Sequence, residues 1–216
     1  MKKILFLAPV ALAAAAFAGC SGHINYNDYI SEKRYDMYRY EDDGLQIKMY
    51  LSEKETPFVA DGIKGNVGAL TEIYVKTTQK HEEVTITSAS FAGGEMSYLT
   101  VRDCMYLSFG DSWQCGGEVT VTLTCDGESG DYVLQSVKDA GVMTCEQALD
   151  CVREYDGALF ESLTNGRTFG GEIFIRLLYD EKCYYYVGVC DTEGKICAFL
   201  LDGESGRIVA EREHKM

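Results

Sequence analysis

Glu118-Val119-Thr120-Val121-Thr122-Leu123-Thr124-Cys125 places apolar residues at its odd positions and polar residues at its even positions. A side-chain period of two is the period of a β-strand. One apolar and one polar face indicate a sheet that is buried on one side and faces water on the other. This stretch therefore predicts an antiparallel β-structure around it.

Segments of the same kind lie on both sides of this stretch. Leu45–Leu51 alternates between apolar and polar residues, and further strands are predicted at Glu72–Thr77, Glu83–Ser90, Tyr98–Ser108 and Asp131–Lys138. Several short strands without an intervening helix predict an all-β sandwich, which we assign to residues 42–140. An immunoglobulin-like topology and other sandwich topologies fit this number of strands.

The segment before this region is polar and rich in tyrosine. Its tyrosines do not follow a clean strand or helix period, so residues 20–41 are predicted to be a tether with a short helix at most. They are Tyr26, Tyr29, Tyr35, Tyr38 and Tyr40.

The pattern changes after Gly141. Thr144 and Gln147 have the spacing of a capping box, in which each side chain accepts a hydrogen bond from a backbone N–H at the start of a helix. A helix followed by antiparallel strands can lie across their apolar face, so residues 142–213 predict a small α+β unit and the whole chain an α+β fold class. The predicted strands are Glu172–Tyr179, Cys183–Cys190, Lys195–Leu201 and Arg207–Glu213.

The N-terminus has the features of an export signal. Lys2 and Lys3 precede an uncharged apolar run that is too short to span a bilayer as a helix. The run ends in Phe17-Ala18-Gly19-Cys20, which resembles the lipobox of bacterial lipoproteins, with Phe17 where that family most often has leucine. The resemblance implies a signal peptide over residues 1–19 and lipidation of Cys20. It also implies an extracytoplasmic protein held by its lipid to the cell membrane or outer membrane.

The C-terminal unit resembles a PepSY domain. The resemblance rests on the helix start at Thr144–Leu149, the strand Tyr184–Val189, the pair Gly194-Lys195 and the closing segment Leu201–Val209. It implies a binding or regulatory module of the cell envelope, with control of a peptidase as one expected role, and it implies no catalytic residues. Asp202 and Ser205 are expected to form the turn of the closing segment.

The charge of the chain limits its partners. With 34 acidic and 20 basic residues the formal net charge is -14. Nucleic-acid binding needs a basic stripe, and the sequence has no long Lys/Arg cluster, so no nucleic-acid partner is predicted. Attachment to a membrane is therefore expected through the lipid rather than through the protein surface.

Cysteine and histidine spacing predicts no metal site and no cofactor. The chain has nine cysteines but no C-x-x-C pair, and its three histidines, His23, His81 and His214, are scattered. Cys190 and Cys197 face each other if their hairpin turns on Glu193-Gly194. A three-residue loop, 192–194, places them on opposite faces, and we favour that arrangement with both thiols unpaired.

Two other functions remain as alternatives. Phe109–Trp113 resembles the nucleophile block of GDSL-type serine hydrolases, with Ser112 as nucleophile and Glu211 and His214 as distant partners, but the surrounding strands do not provide that family's helix-rich context. A purely structural envelope lipoprotein is the second alternative. We predict instead a lipid-anchored, non-catalytic module that binds a protein or peptide through an unpaired sheet edge.

Overall fold

The computed structural model describes residues 24–110 and 116–215. It is 56% strand and 11% helix. A 3-10 turn at Tyr26–Tyr29 precedes the first strand. The strands are β1 (Ile30–Glu41), β2 (Leu45–Glu55), β3 (Val67–Thr77), β4 (Val84–Thr87), β5 (Gly94–Glu95), β6 (Ser97–Leu99), β7 (Cys104–Phe109), β8 (Glu118–Cys125), β9 (Glu128–Ser136), β10 (Thr164–Asn165), β11 (Thr168–Phe169), β12 (Gly171–Asp180), β13 (Lys182–Asp191), β14 (Lys195–Asp202) and β15 (Ile208–Lys215). The helices α1 (Cys145–Tyr155) and α2 (Gly157–Ser162) lie between β9 and β10.

Strand β1 connects the two halves of one 13-stranded sheet, whose main order is β15-β14-β13-β12-β1-β2-β3-β7-β6. One edge of β1 pairs with β2 along most of its length. The other edge pairs in parallel with β12 over residues 30–34 and then with β9 at Tyr38 and Arg39. A bulge between Arg34 and Asp36 in the pairing with β2 lies between these two regions.

Beyond β1 the sheet curves back on itself and nearly closes, and we call this part the ring half. Strands β9, β8 and β4 follow one another from β1, while β2, β3 and β7 continue from its other edge. The segment 94–99 joins the two arms, because β5 pairs with β4 and β6 pairs with β7. Between them the Met96 N–H donates to the Val84 carbonyl at 2.8 Å. The alternating apolar residues of all these strands fill the enclosed core.

Strands β12–β15 form the helix-covered half. Thr144 and Gln147 make the predicted capping box, and Ala148, Leu149 and Val152 of α1 are fully or almost fully buried. They pack on the odd-numbered residues of β12, such as Ile173 and Ile175. Helix α1 therefore covers this part of the sheet, while the ring half covers itself by curvature. No helix among the described residues is long and apolar enough to cross a membrane.

The predicted α+β fold class is wrong. The β-rich character is confirmed and is consistent with a sandwich, but the structure is a mostly β protein with a large, nearly closed antiparallel sheet, not one with a small helix-and-sheet domain. The pairing of β1 with β12 makes the sheet continuous between the segments predicted as separate domains. Helix α1 and strands β12–β15 nevertheless lie where the sequence predicted them.

The predicted tether also differs from the structure. Residues 30–41 form the central strand β1, and only the short turn at Tyr26–Tyr29 fits the predicted helix. The bulge after Arg34 shifts the alternation by one residue, so that Glu32 and Arg34 share one face before it and Met37 and Arg39 share that face after it. A shifted period removes the sequence signal of a strand.

Candidate binding face

The structure places some of the predicted site residues and leaves others outside its described part. Cys20, Ser112 and Trp113 lie outside the described residues, so lipidation and the hydrolase alternative stay predictions. His214 and Glu211 lie on strand β15, where Glu211 accepts a hydrogen bond from the Tyr155 hydroxyl at 3.3 Å.

The hairpin of β13 and β14 has the favoured three-residue loop. Cys190 pairs with Ile196 and Val189 pairs with Cys197, so the two cysteines lie on opposite faces. Both are free thiols, as predicted. Cys190 is fully buried and Cys197 is half-buried.

The turn predicted at the end of the PepSY-like segment is confirmed in its local geometry. The Asp202 carboxylate accepts hydrogen bonds from the Ser205 N–H at 3.0 Å and from the Ser205 hydroxyl at 2.8 Å. The Lys182 ammonium lies 2.5 Å from the same carboxylate and holds the pKa of Asp202 below its usual range. These contacts stabilise a turn and leave no group prepared for chemistry.

An unpaired edge, the predicted binding element, remains at strand β15. In the ring half the segment 94–99 connects the two arms, so β15 is the long strand at the end of the main strand order. Its exposed residues include Glu211, Arg212 and Glu213. Charged side chains are a usual protection of sheet edges against added strands, so this edge has no feature that favours a peptide.

The outer face of the ring half has a different character. Period-two alternation directs Ile47, Met49, Ile73 and Val75 into the core, so the residues between them point outward. Cross-strand pairing brings these outward residues together: Lys48 lies opposite Tyr74, and Tyr74 lies opposite Tyr106. We call this surface the basic–aromatic face. It consists of Arg34, Lys48, Tyr50, Tyr74, Lys76, Arg102 and Tyr106.

Three tyrosine rings form a row across β2, β3 and β7. The ring centroids of Tyr50 and Tyr74 are 5.6 Å apart with an interplanar angle of 75°. Those of Tyr74 and Tyr106 are 5.0 Å apart. Such spacings allow favourable ring contacts, and each half-buried ring keeps its neighbours in place.

Two arginines lie over this row. The Arg34 guanidinium is 4.3 Å from the centroid of Tyr50, and the Arg102 guanidinium is 4.8 Å from that of Tyr74. Both distances are within the range of cation–π attraction. The Arg34 Nε is buried without a hydrogen-bond partner. The face therefore holds its arginines through ring contacts rather than through carboxylates.

One acid, Glu72, lies on this face opposite Tyr50, but the cations of the face are not held in close ion pairs. Among residues 24–110 and 116–215, Arg34, Lys48, Lys76 and Arg102 form no ion pair within 4.0 Å. The nearby Glu72 accepts hydrogen bonds from the tyrosine hydroxyls of positions 74 and 106, at 3.0 Å and 3.3 Å.

The tyrosines of the face remain hydrogen-bond donors at neutral pH. Burial, and then the negative charge of Glu72, raise the pKa of Tyr74 well above its usual value. Burial also raises the pKa of Tyr50, against the opposing charges of Arg34 and Arg102.

A shallow pocket of about 240 Å³ lies on the face. It is bounded by three of the face's cations, two of its tyrosines, Gln46 and Cys104. Burial raises the pKa of the Cys104 thiol, although Arg102 and Lys76 act in the opposite direction. This thiol is therefore not activated as a nucleophile. The arrangement suits binding of an anionic group better than a reaction.

The outer face of the helix-covered half is closed by the loop of residues 56–66. Phe58 and Ala60 of this loop pack against Phe174 on β12. Gly62 adopts a φ of +81°, and a Cβ there would lie 2.6 Å from the Asp191 carbonyl carbon, so only glycine fits this approach.

Two carboxylates are buried beneath this loop. Glu172 is fully buried, and neither of its oxygens has a hydrogen-bond partner among the residues that the structure describes. Glu55 is 6% exposed, and one of its oxygens accepts from the Gly65 N–H while the other has no partner. Burial raises the pKa of Glu172 to about 7, and the charges of Glu55 and Asp61 act in the same direction.

Residues that hold a metal ion are not found together in the described part of the chain. There, no group of three or more His, Cys, Asp and Glu side chains has the required proximity.

The basic–aromatic face was missed by sequence reasoning, although the alternation of lysine and tyrosine at Lys48, Tyr50, Tyr74 and Lys76 was a usable signal. What the sequence did not provide was the register that brings these residues together.

Comparison with models of protein families, with curated proteins and with solved structures finds no match to this chain. The basic–aromatic face is therefore interpreted from its own geometry.

Proposed function

We propose that this chain is a lipid-anchored cell-envelope protein that binds a protein or peptide partner without catalysing a reaction. The observation that carries the proposal is the basic–aromatic face, where four cations that form no ion pair within residues 24–110 and 116–215 surround a row of three tyrosines. Aromatic rings with arginine are the side chains that contribute most at protein interfaces.

The anchor and the regulatory role rest on sequence resemblance. Cys20 would carry the lipid that holds the chain outside the cytoplasm, at the cell membrane or outer membrane. The PepSY-like segment at residues 142–213 supports a regulatory role, with a peptidase as one candidate partner. The binding face proposed here belongs to the other half of the sheet, so partner contact and the PepSY-like segment are separate parts of the proposal.

The proposal is tested by crosslinking the full chain in native envelopes. A truncation after Gly141 is unsuitable because it removes β12, which pairs with β1. A better variant combines Lys76→Glu with Arg102→Glu, since both side chains are exposed. The matched control combines Arg207→Glu with Lys215→Glu, which changes the net charge equally at another exposed region.

We expect the wild type and the control to capture the same partner and the face variant to lose it. Equal capture by all three proteins would remove the basic–aromatic face from the proposal. No captured protein in any of them would favour a purely structural role. The anchor is tested separately, since Cys20→Ser should move the protein from the membrane fraction to the soluble fraction.

A further inference from the structure

The charge of the basic–aromatic face opposes that of the chain as a whole. The chain has a formal net charge of -14, yet four cations gather on this face and none pairs with a carboxylate among the described residues. Elsewhere, seven described cations lie within 4.0 Å of a carboxylate. Six others form no such pair among the described residues, namely Lys64, Lys80, Lys138, Arg207, Arg212 and Lys215. The face is distinguished by the grouping of four such cations around one row of aromatic rings.

These cations are prepared for a ligand by the tyrosine row. The guanidinium groups of Arg34 and Arg102 lie over the Tyr50 and Tyr74 rings, so less side-chain freedom is lost when their N–H groups bind an anion. An arginine fork bonds a carboxylate through two parallel hydrogen bonds. The hydroxyls of Tyr74 and Tyr106 already donate to Glu72, so the donors that remain for an anion are the arginine and lysine side chains of the face.

The extent of the face defines the size of the ligand. It reaches across β1, β2, β3 and β7, and adjacent strands lie about 4.8 Å apart, so its width is on the order of 14 Å. An extended peptide places alternate side chains about 7 Å apart, so two or three carboxylates of one short segment fit this width.

Resting on the binding function proposed above, we infer that the basic–aromatic face binds a short acidic segment of a partner polypeptide. The carboxylates of the segment pair with Arg34, Arg102 and the two lysines, and its backbone lies across the tyrosine rings. A long polyanion such as a nucleic acid would extend onto the surrounding acidic surface and be repelled. A short segment would stay on the face and would not be repelled, because acidic side chains more than about 8 Å away are largely screened at physiological salt.

The test uses the full chain and two fluorescently labelled five-residue peptides, one with Glu and one with Gln at the first, third and fifth positions, and both with Ser between them. Fluorescence anisotropy measures their dissociation constants. We expect the wild type to bind the Glu peptide at least tenfold more tightly than the Gln peptide. The variant with Lys76→Glu and Arg102→Glu should lose at least tenfold in affinity for the Glu peptide, and the control with Arg207→Glu and Lys215→Glu should stay within about twofold.

Denaturation midpoints equal to that of the wild type show that the variants are folded. If the double Glu variant is unfolded, Lys76→Gln with Arg102→Gln replaces it and should still weaken binding. Equal loss of affinity in the control would show an effect of net charge and overturn the inference. Failure of the wild type to bind the Glu peptide would also overturn it. In that case, face-dependent capture of a partner from envelopes would still support the proposed function.

Discussion

The outer face of the sheet is exposed in the ring half and covered by a loop in the helix-covered half. In the ring half it is open, and the cations of the basic–aromatic face form no ion pair within 4.0 Å in the described part of the chain. In the helix-covered half it is closed by the 56–66 loop, and Glu172 and Glu55 are buried beneath it. An unpaired cation in water has little effect on stability, whereas an unpaired buried carboxylate opposes folding. Substitutions on the open face are therefore expected to change binding, whereas substitutions beneath the 56–66 loop are expected to change stability.

Glu32, a buried acid at the junction of the two halves, differs from Glu172 because it has a cation as its partner. Glu32 is almost fully buried, but Arg176 donates two hydrogen bonds to it at 2.6 Å and 2.7 Å. Burial alone would raise the pKa of Glu32, and the bonds and charge of Arg176 outweigh burial and lower it. Glu172 has burial without a cation, so its pKa moves in the other direction.

The largest expected effect tests whether the two halves unfold together. Ile47 in the ring half and Ile175 in the helix-covered half are both fully buried. We expect Ile47→Ala and Ile175→Ala each to lower the free energy of unfolding by about 2–5 kcal/mol, because each leaves a cavity. Denaturant unfolding followed by circular dichroism provides the measurement.

Strand β1 pairs with both halves, so a single transition should shift in both variants. A variant in which one transition moves and a second stays at the wild-type position would show that the halves are independent. The conservative variant Ile175→Val serves as the control, with an expected loss of about 0.5–1.5 kcal/mol.

The second prediction concerns Glu172 on the closed outer face and states in which direction stability changes with pH. The pKa of Glu172 rises from 4.5 to about 7 on folding. The stabilising contribution of its bound proton is therefore complete below pH 4.5 and is lost as the pH rises through about 7. The loss amounts to about 1.4 kcal/mol for each pH unit between the two values.

Glu172→Gln keeps the shape of the side chain and removes the charge. We expect this variant to be more stable than the wild type at pH 8, on the order of 1–3 kcal/mol, with the gap narrowing towards pH 5. Unfolding measured at several pH values checks this. Glu204→Gln, at an exposed position, should leave the pH profile unchanged. If the free energies of unfolding of Glu172→Gln and the wild type differ equally at pH 5 and pH 8, the raised pKa of Glu172 is contradicted.

The sequence predicted the helix-covered half better than the ring half, for a physical reason. Helix α1 has a capping box at Thr144 and Gln147, and β12–β15 are joined in chain order by short loops, so local signals define them. The ring half depends on distant pairings, such as the meeting of β5 with β4 and of β6 with β7. Alternation predicts that a strand exists but does not say which strand is its neighbour.

The candidate site illustrates the same limit. Lys48 and Tyr50 alternate visibly in the sequence, but Tyr106 and Arg102 join them only through the pairing of β3 with β7. Glu172 and Glu55 are separated by more than a hundred residues, and their burial depends on the 56–66 loop closing over β12. Both sites come from tertiary arrangement, which single-sequence patterns do not contain.

A smaller effect on the free energy of unfolding is expected at the start of helix α1, which belongs to the helix-covered half. The Thr144 hydroxyl accepts from the Gln147 N–H at 3.2 Å. Thr144→Ala removes this bond and should lower the free energy of unfolding by about 1 kcal/mol. Thr144→Ser keeps the acceptor and should remain within a few tenths of the wild type. A loss as large from serine as from alanine would show that the methyl group, not the cap, is responsible.

The smallest expected effect, that of Tyr74→Phe, is measured against the loss of one tyrosine hydroxyl in the other half. Tyr185 is fully buried and donates to the Met143 carbonyl at 2.7 Å. Tyr185→Phe leaves this carbonyl without its partner and should lower the free energy of unfolding by about 1 kcal/mol. Tyr74 lies on the open face, and Tyr74→Phe removes one of two hydroxyl bonds to Glu72. Because Tyr106 and water can still reach that carboxylate, we expect a loss of less than about 0.5 kcal/mol. Chemical denaturation of the two variants decides the matter: an equal or larger loss from Tyr74→Phe would mean that the basic–aromatic face is sealed like the other outer face, and would remove the reason to regard it as open to a ligand.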